Sequence, residues 1–325
     1  MSFSADAVRL GARVDEELAR ISKWFEATVR GDLRRRGVVV GLSGGIDSSV
    51  CAALAVRALG QDRVLGLFMN EGESSGETVR LGRLIAEHLG IVTVDEDISP
   101  ILAAAGCYAR RDEAIKAVIP AYRADWKCKL ILPSVLDSDR YRISSIVAQS
   151  PEGETITARL PPDAYLTVVA STSFKQRTRK MLEYFHADRL VYAVVGTPNL
   201  LEYDQGFFVK NGDGAADIKP IAHLYKTQVY ELAAALGIPD EIRSRPPTTD
   251  TFSLPQSQEE FYFSLSYDRM DICLYGRHHG FAAAEVAAAL GLTPEQVERV
   301  YKDIDAKRAV ARYLHAPPLT LSLPS

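Results

Sequence analysis

Val38-Val39-Val40-Gly41-Leu42 runs without a break into Ser43-Gly44-Gly45-Ile46-Asp47-Ser48-Ser49, and residues 50–59 follow with the composition of a buried helix. A buried strand, a glycine turn and a helix N-terminus thus come in immediate succession. Glycine lets the backbone approach a ligand closely, and the first N–H groups of a helix are free donors at the positive end of its dipole. Ser43, Ser48 and Ser49 add hydroxyl donors, and Asp47 adds a carboxylate where phosphate needs a magnesium ion. The stretch reads as a pyrophosphate cradle. It is not the Walker loop, whose G-x-x-x-x-G-K-[ST] string occurs nowhere in the chain.

Outward from this loop, strands and helices alternate. Residues 64–69 and 91–94 are expected strands, and 47–59 and 77–89 expected helices; helix 174–185, strand 190–195 and helix 224–236 continue the series. Such alternation implies an α/β fold, a doubly wound and mostly parallel sheet with flanking helices. Residues 5–30 show helical periodicity, with Val8, Val14, Leu18, Ile21 and Phe25 on one side. Between 126 and 170 the pattern breaks into short β-prone segments at 129–132, 142–148, 155–160 and 165–169, separated by turn material. The expected organisation is one α/β domain over 1–325, a β-rich insertion at 126–170, and a helical C-terminal extension from 276 to 325 that includes a helix start at Thr293-Pro294.

Composition narrows the function classes. A net charge of −4 and a pI near 5.9 leave no general basic footprint for nucleic acid. Cys51, Cys107, Cys128 and Cys273 are scattered without a C-x-x-C pair, which suits buried thiols in a reducing cytosol rather than a disulfide frame. No run of 18 apolar residues occurs, and Asp6, Arg9 and Arg13 interrupt the N-terminus, so neither a membrane span nor a signal peptide is expected. A cytoplasmic enzyme is the expectation.

The Ser43 loop resembles that of the ATP pyrophosphatase superfamily, whose members cut ATP between the α and β phosphates to activate a carboxyl or carbonyl oxygen as an adenylate. A second block narrows the resemblance. Val194-Val195-Gly196-Thr197-Pro198-Asn199-Leu200-Leu201-Glu202 is followed by Gly206-Phe207-Phe208-Val209-Lys210-Asn211-Gly212-Asp213-Gly214-Ala215-Ala216-Asp217, then by Leu224-Tyr225-Lys226-Thr227 and Pro246-Pro247-Thr248. With the helix at Lys175-Gln176-Arg177, these ordered motifs closely resemble NAD synthetases of the ammonia-dependent type, over most of 20–125 and 171–275. The resemblance implies a carbon–nitrogen ligase that adenylates the carboxylate of deamido-NAD with ATP and aminates it with ammonia, giving NAD, AMP and pyrophosphate. It places Gly41, Ser43, Gly44, Gly45, Asp47, Ser48, Thr197, Lys226 and Thr248 against ATP. Asp47 and Glu202 hold magnesium, two carboxylates being a sensible set for a hard cation. Lys226 neutralises charge that grows on the departing pyrophosphate. Arg177, Lys210, Asp217 and Lys307 contact the acid, and Asp213 sits near the ammonia, able to accept its proton. Asp47, Asp213 and Lys226 are thus the catalytic candidates. As a loop carboxylate, Asp47 is expected to contribute little to the core. Family members are homodimers whose acid site borrows from the interface, and glutamine use requires an amidase domain larger than the 42 residues before Ser43.

Three departures fall on the acid side: Pro198-Asn199 after the glycine-threonine strand end, Ala306-Lys307 where a His-Lys pair is usual, and the insertion itself. A different carboxylic acid, or a non-catalytic nucleotide-binding homologue, therefore stands as the alternative. Sulfur transfer to tRNA fits poorly with the missing cysteine pair and acidic balance. His278-His279 and the single histidines lack metal-ligand spacing. Residues 285–297 mimic a helix-turn-helix but carry two glutamates and neither lysine nor arginine, which gains little from phosphates; a packed helical pair is expected.

Overall fold

The computed structural model describes residues 3–132, 135–136, 144–248, 251–263 and 265–321. Among them, β1 (Val38–Gly41), β2 (Val64–Asn70) and β3 (Val92–Asp97) come first; β4 (Lys127–Ile131), β5 (Ser145–Gln149) and β6 (Thr155–Arg159) follow as an antiparallel meander; β7 (Ala193–Val195) returns to the first sheet. That sheet has the order β3-β2-β1-β7 with every pair parallel. The chain therefore winds to one side of β1 and later to the other. Open α/β sheets bind ligands at such a switch point, beyond the carboxyl ends of the strands, and here that position is the Ser43 loop.

Twelve α-helices accompany the strands among the described residues: α1 (Val14–Glu26), α2 (Ile46–Leu59), α3 (Gly76–Leu89), α4 (Ser99–Ala104), α5 (Cys107–Lys116), α6 (Pro162–Leu190), α7 (Leu200–Gln205), α8 (Lys226–Ala235), α9 (Asp240–Ser244), α10 (Tyr267–His278), α11 (Ala283–Leu290) and α12 (Pro294–His315). Both faces of the parallel sheet are covered, which is why β1, β2 and β7 read as largely apolar, buried runs, while β3, at the edge, carries Asp95, Glu96 and Asp97. Val38 and Val40 pack with Leu18, Phe25, Leu54 and Val229 of α1, α2 and α8, while Val39, one residue out of phase, packs with Leu102, Cys107 and Ala187 on the other face.

Several expectations need correction. The N-terminal helix does not run continuously from residue 5: Gly11 adopts φ 55°, and 3₁₀ turns at Ala5–Val8 and Gly11–Arg13 precede α1. Val8 consequently leaves the face shared by Leu18, Ile21 and Phe25 and packs with Phe263, Met270 and Val300 in a C-terminal apolar cluster. The expected strand at 165–169 is helix. Pro162 and Asp163 open α6 at positions where proline and an acid are favoured, and Thr167, Thr172 and Ser173 hydroxyls bond back to carbonyls one turn earlier. The β-branched run Thr167-Val168-Val169 is overridden because Val168 is needed in a core with Ile115, Leu130, Ile146 and Phe252. Among the described residues, three antiparallel strands rather than four thus form the insertion's sheet, β5 in the middle. The start of the expected 142–148 segment, with Asp137, Asp139, Arg140 and Arg142, lies outside the described residues. At 29 residues, α6 is about 44 Å long and is packed against both sheets, through Val168 at one end and Ala187 at the other. The helix-turn-helix mimic is a packed pair, with Val286, Ala287, Val297 and Val300 sharing one buried cluster.

The Ser43 loop is fixed by a steric constraint. Gly44 has φ 67°, and a Cβ there would stand 2.6 Å from the Thr78 carbonyl oxygen and 2.9 Å from the Gly82 nitrogen of α3. Left-handed backbone alone costs a residue with a Cβ about 1–2 kcal/mol, and the clash adds to it. Gly44→Ala is accordingly expected to destabilise the fold by more than about 2 kcal/mol. An unchanged denaturant midpoint would refute the close approach of loop and helix.

Candidate active site

A cavity of about 520 Å³ opens at the carboxyl edge of β1. Its floor is the loop from Gly41 to Ser48, held in shape by its own hydroxyls. Ser43 Oγ lies 3.2 Å from Ser48 Oγ, and Ser48 and Ser49 donate to the Gly45 carbonyl at 3.0 and 2.8 Å. Gly45 caps α2 without a side-chain bond, which leaves the first N–H groups of that helix directed at the cavity floor. Thr197 and Thr248 line the walls, as do Asp213, Glu202 and Lys226. All the expected ATP-side residues except Gly44, which packs against α3, therefore converge on one space.

At its centre is a buried ion pair. Lys226, the first residue of α8, is 1% exposed, and its ammonium donates to Asp47 Oδ2. Burial disfavours the charged amine, but the carboxylates of Asp47 and Glu202 outweigh it and hold Lys226 above its ordinary value. Asp47 is thus no loop carboxylate detached from the core. It sits on the first turn of α2 and neutralises a buried cation, so removing it leaves a charge stranded, at a cost of about 3–5 kcal/mol. Glu202 is buried on α7, and burial together with the nearby Asp47 pushes its carboxyl up to about 8.

Asn199 was not among the expected site residues, yet it organises this cluster. It is fully buried, its Oδ1 accepts from the Glu202 N–H at 3.2 Å, and its own N–H donates to Glu202 Oε2 at 3.2 Å. Its Nδ2 then donates to Asp47 Oδ1 at 3.2 Å. The signal was present as N-x-x-E, a reciprocal helix cap. Pro198-Asn199, counted as a departure from the family text, thereby positions both carboxylates.

One stripe of α6 forms a cavity wall: Thr172, Lys175, Gln176, Arg179 and Glu183, at the three- and four-residue spacing of a single helix face. Lys175 is 1% exposed, bonded to Glu71 at 2.9 Å, Glu73 at 2.6 Å and the Thr251 carbonyl at 3.0 Å. Glu73 in turn takes Arg111 at 2.6 Å. Glu183 is buried, which raises its carboxyl despite Lys180 at 2.5 Å. Arg245, on the opposite wall, donates to Thr78 and Thr248 hydroxyls. Residues two apart on a helix point about 200° away from each other, so the sequence does not say which of Arg177 and Arg179 faces inward. Arg179 lines the cavity and Arg177 does not.

None of the four expected acid-side residues lines the cavity. Arg177 is exposed and donates to the Lys210 carbonyl at 3.3 Å. The Lys210 ammonium bonds the Tyr313 and Ala316 carbonyls at the end of α12. Asp217 accepts the Val194 N–H at 2.7 Å and the Tyr184 hydroxyl at 3.3 Å. Lys307 pairs with Asp303 and bonds the Tyr262 carbonyl. Asp213, by contrast, faces the cavity; burial raises its carboxyl against the Val209 N–H that binds it at 2.7 Å. The insertion also reaches the site, through Leu130, Leu132 and Ser144. Thr249 and Asp250, after Thr248, lie outside the described residues.

The raised Glu202 carboxyl has a testable consequence. A carboxyl that holds its proton more tightly folded than unfolded favours the native state at low pH, and loses that contribution as pH rises through the folded value. The ligand-free protein is expected to lose stability as pH rises from the ordinary carboxylate value of 4.5 to about 8. Glu202→Gln should flatten that slope in denaturant titrations; a slope unaltered by the substitution would assign it elsewhere.

Comparison with known proteins agrees with this geometry. The NAD synthase family model matches residues 17–120 and 129–311. An NH(3)-dependent NAD(+) synthetase of Mesorhizobium japonicum is 62% identical over 303 residues, covering 93% of this chain and 95% of its own length. Its namesake from Thermotoga maritima is 35% identical, over 85% of this chain and 90% of its own. Among solved structures, an NH3-dependent NAD synthetase of Campylobacter jejuni superposes with a TM-score of 0.61 at 20% identity, over 95% of this chain and 99% of that one. An NMN synthetase of Francisella tularensis does so with a TM-score of 0.65 at 22% identity, over the same shares. These two show the shared fold. The glycine-rich Ser43 loop at the switch point of the sheet, the family match along most of the chain and the close curated relatives lead to one conclusion: the chain belongs to the NAD synthase family of ATP-using carbon–nitrogen ligases.

Proposed function

We propose that the chain is an ammonia-dependent NAD synthetase, which joins the carboxylate of deamido-NAD to AMP and displaces the adenylate with ammonia. The observation that carries the reading is the Asp47–Lys226 pair, set with Glu202 at the rim of the phosphate loop. Two carboxylates against one ammonium suit a divalent cation with a preference for oxygen. Asp47 and Glu202 would hold magnesium there, and magnesium when bound would withdraw charge from phosphate oxygens.

The loop hydroxyls and the free N–H groups of α2 take the phosphate oxygens, with Thr197 and Thr248 against the nucleoside. Lys226 neutralises the charge that accumulates as pyrophosphate departs. The carboxylate oxygen of the acid attacks the α phosphorus, and the phosphorus–oxygen bond to pyrophosphate breaks. Ammonia then attacks the acyl carbon, AMP leaves, and Asp213, whose burial makes it a stronger base, takes the proton. Cavity walls from α6 and the β4–β6 insertion keep water from the acyl-adenylate.

Arg177, Lys210, Asp217 and Lys307 would serve the part of the acid that extends beyond the cavity, on a flank completed by a second subunit. Met181 and Phe185 of α6, one turn apart and 53% and 57% exposed, supply an apolar surface for that homodimer. Four buried free cysteines suit a reducing cytoplasm. The insertion belongs, in this reading, to the same working unit as the parallel sheet.

Purified protein with ATP, deamido-NAD, ammonia and magnesium is expected to give AMP and pyrophosphate in step with NAD; ADP and phosphate would refute the reaction type. Turnover with the mononucleotide acid but not with deamido-NAD would reassign the substrate. Asp47→Asn, which keeps the size but not the charge, should lower turnover at least about a hundredfold. Sedimentation at about 36 kDa rather than twice that, against a chain mass of 35.7 kDa, would exclude the dimer.

A further inference from the structure

Lys226 is held by more than its partner Asp47. The helix it opens, α8, has Tyr225 at its N-cap position, whose side chain caps no backbone N–H; only the Tyr225 N–H is held, by Gln228 Oε1 at 3.0 Å. The first-turn donors of such a helix need a partner. It comes from α10, 44 residues further on. Asp271 Oδ2 accepts both the backbone N–H and the hydroxyl of Thr227, each at 2.8 Å. Asp271 is fully buried, and its second oxygen, Oδ1, has no hydrogen-bond partner. Burial of a half-satisfied carboxylate is costly, and a well-packed apolar residue would usually serve a core better. The same helix also braces Glu202: Met270 and Leu274 pack in one cluster with Leu201 of α7 and with Tyr225.

We propose that Asp271 is a positioning residue for the reaction: it caps α8 in trans and fixes the helical turn from which the Lys226 ammonium reaches Asp47. The proposal rests on the reading that Lys226 acts on the departing pyrophosphate. Burial pushes the Asp271 carboxyl up to about 6, and the N–H groups of Thr227 and Lys226 work against that rise, as a helix N-terminus does for a carboxylate set on it. The C-terminal helical layer thereby becomes part of the catalytic scaffold rather than a cover on it.

The test is steady-state kinetics on the full chain, at a temperature well below the melting point of each variant. Asp271→Ala should lower kcat about tenfold or more with KM for ATP changed less than about threefold, because a displaced ammonium is missed chiefly in the transition state. Asp271→Asn keeps an oxygen acceptor and should restore kcat to within about threefold of wild type. Thr227→Val, which removes only the hydroxyl donor, should lower kcat by about two- to fivefold at constant KM, and it decides the matter if Asp271→Ala does not fold. A folded Asp271→Ala enzyme with wild-type kcat overturns the proposal, as does an Asn variant as impaired as the Ala one, or an unchanged kcat in Thr227→Val when the Ala variant is unfolded. Lys226→Met is measured in parallel. If it turns over normally, the reading of Lys226 itself fails; if it is inactive while Asp271→Ala is normal, only the positioning role fails.

Discussion

The buried pair of Asp47 and Lys226 is the constraint around which the site is built. A lysine that is 1% exposed stays charged only where carboxylates face it, because burial alone would drive the proton off. Asp47 and Glu202 supply that field from two different helices, α2 and α7, and Asn199 ties them together by capping α7 and bonding Asp47. Three helix N-termini thus meet at one point. Each brings a positive dipole end, which partly offsets the two carboxylates that face Lys226.

A second charge network stabilises the wall opposite. Arg111, Glu73, Lys175 and Glu71 form a chain of buried ion pairs, with the Tyr108 hydroxyl on Glu71 at 2.6 Å. Glu73 is held ionised against its burial by Lys175 and Arg111. The chain ties the loop after β2 to α5 and α6, and Lys175 carries it on to the Thr251 carbonyl in the segment after Thr248. Buried ion pairs of this kind add little net stability but specify one arrangement, since breaking any one leaves an uncompensated charge. Two segments that line the cavity are thereby fixed to the rigid part of the fold.

The helix α6 links these features. One face of it lines the cavity with Lys175, Arg179 and Glu183, its ends pack against the two sheets, and its outer face exposes Met181 and Phe185. This explains why a β-rich insertion can interrupt an α/β chain without disrupting the site: the strands return through the helix that forms the wall. Gly41 lies close beneath this wall, and a Cβ there would come within 3.1 Å of Glu183 Oε1.

The parallel order of elements and the strand–glycine turn–helix start at Ser43 were legible in the sequence, because each rests on local chemistry: apolar runs, glycine turns and helix starts that mean the same in any context. That Thr197, Glu202, Lys226 and Thr248 join the loop was implied only by the family resemblance, and the cavity brings them together. What was lost was whatever depended on distant partners. Residues 165–169 have the composition of a strand and are helix because the core of the insertion needs Val168. Arg177 and Arg179 differ only in which side of α6 faces the cavity, and Val8 in which cluster takes it. Asn199 carried a readable cap signal but no hint of its bond to Asp47, 152 residues away. The sequence by itself determined which elements form and which chemistry they carry; only the tertiary structure decided which charges face one another, because a buried charge is held by groups that the chain brings from far along its length.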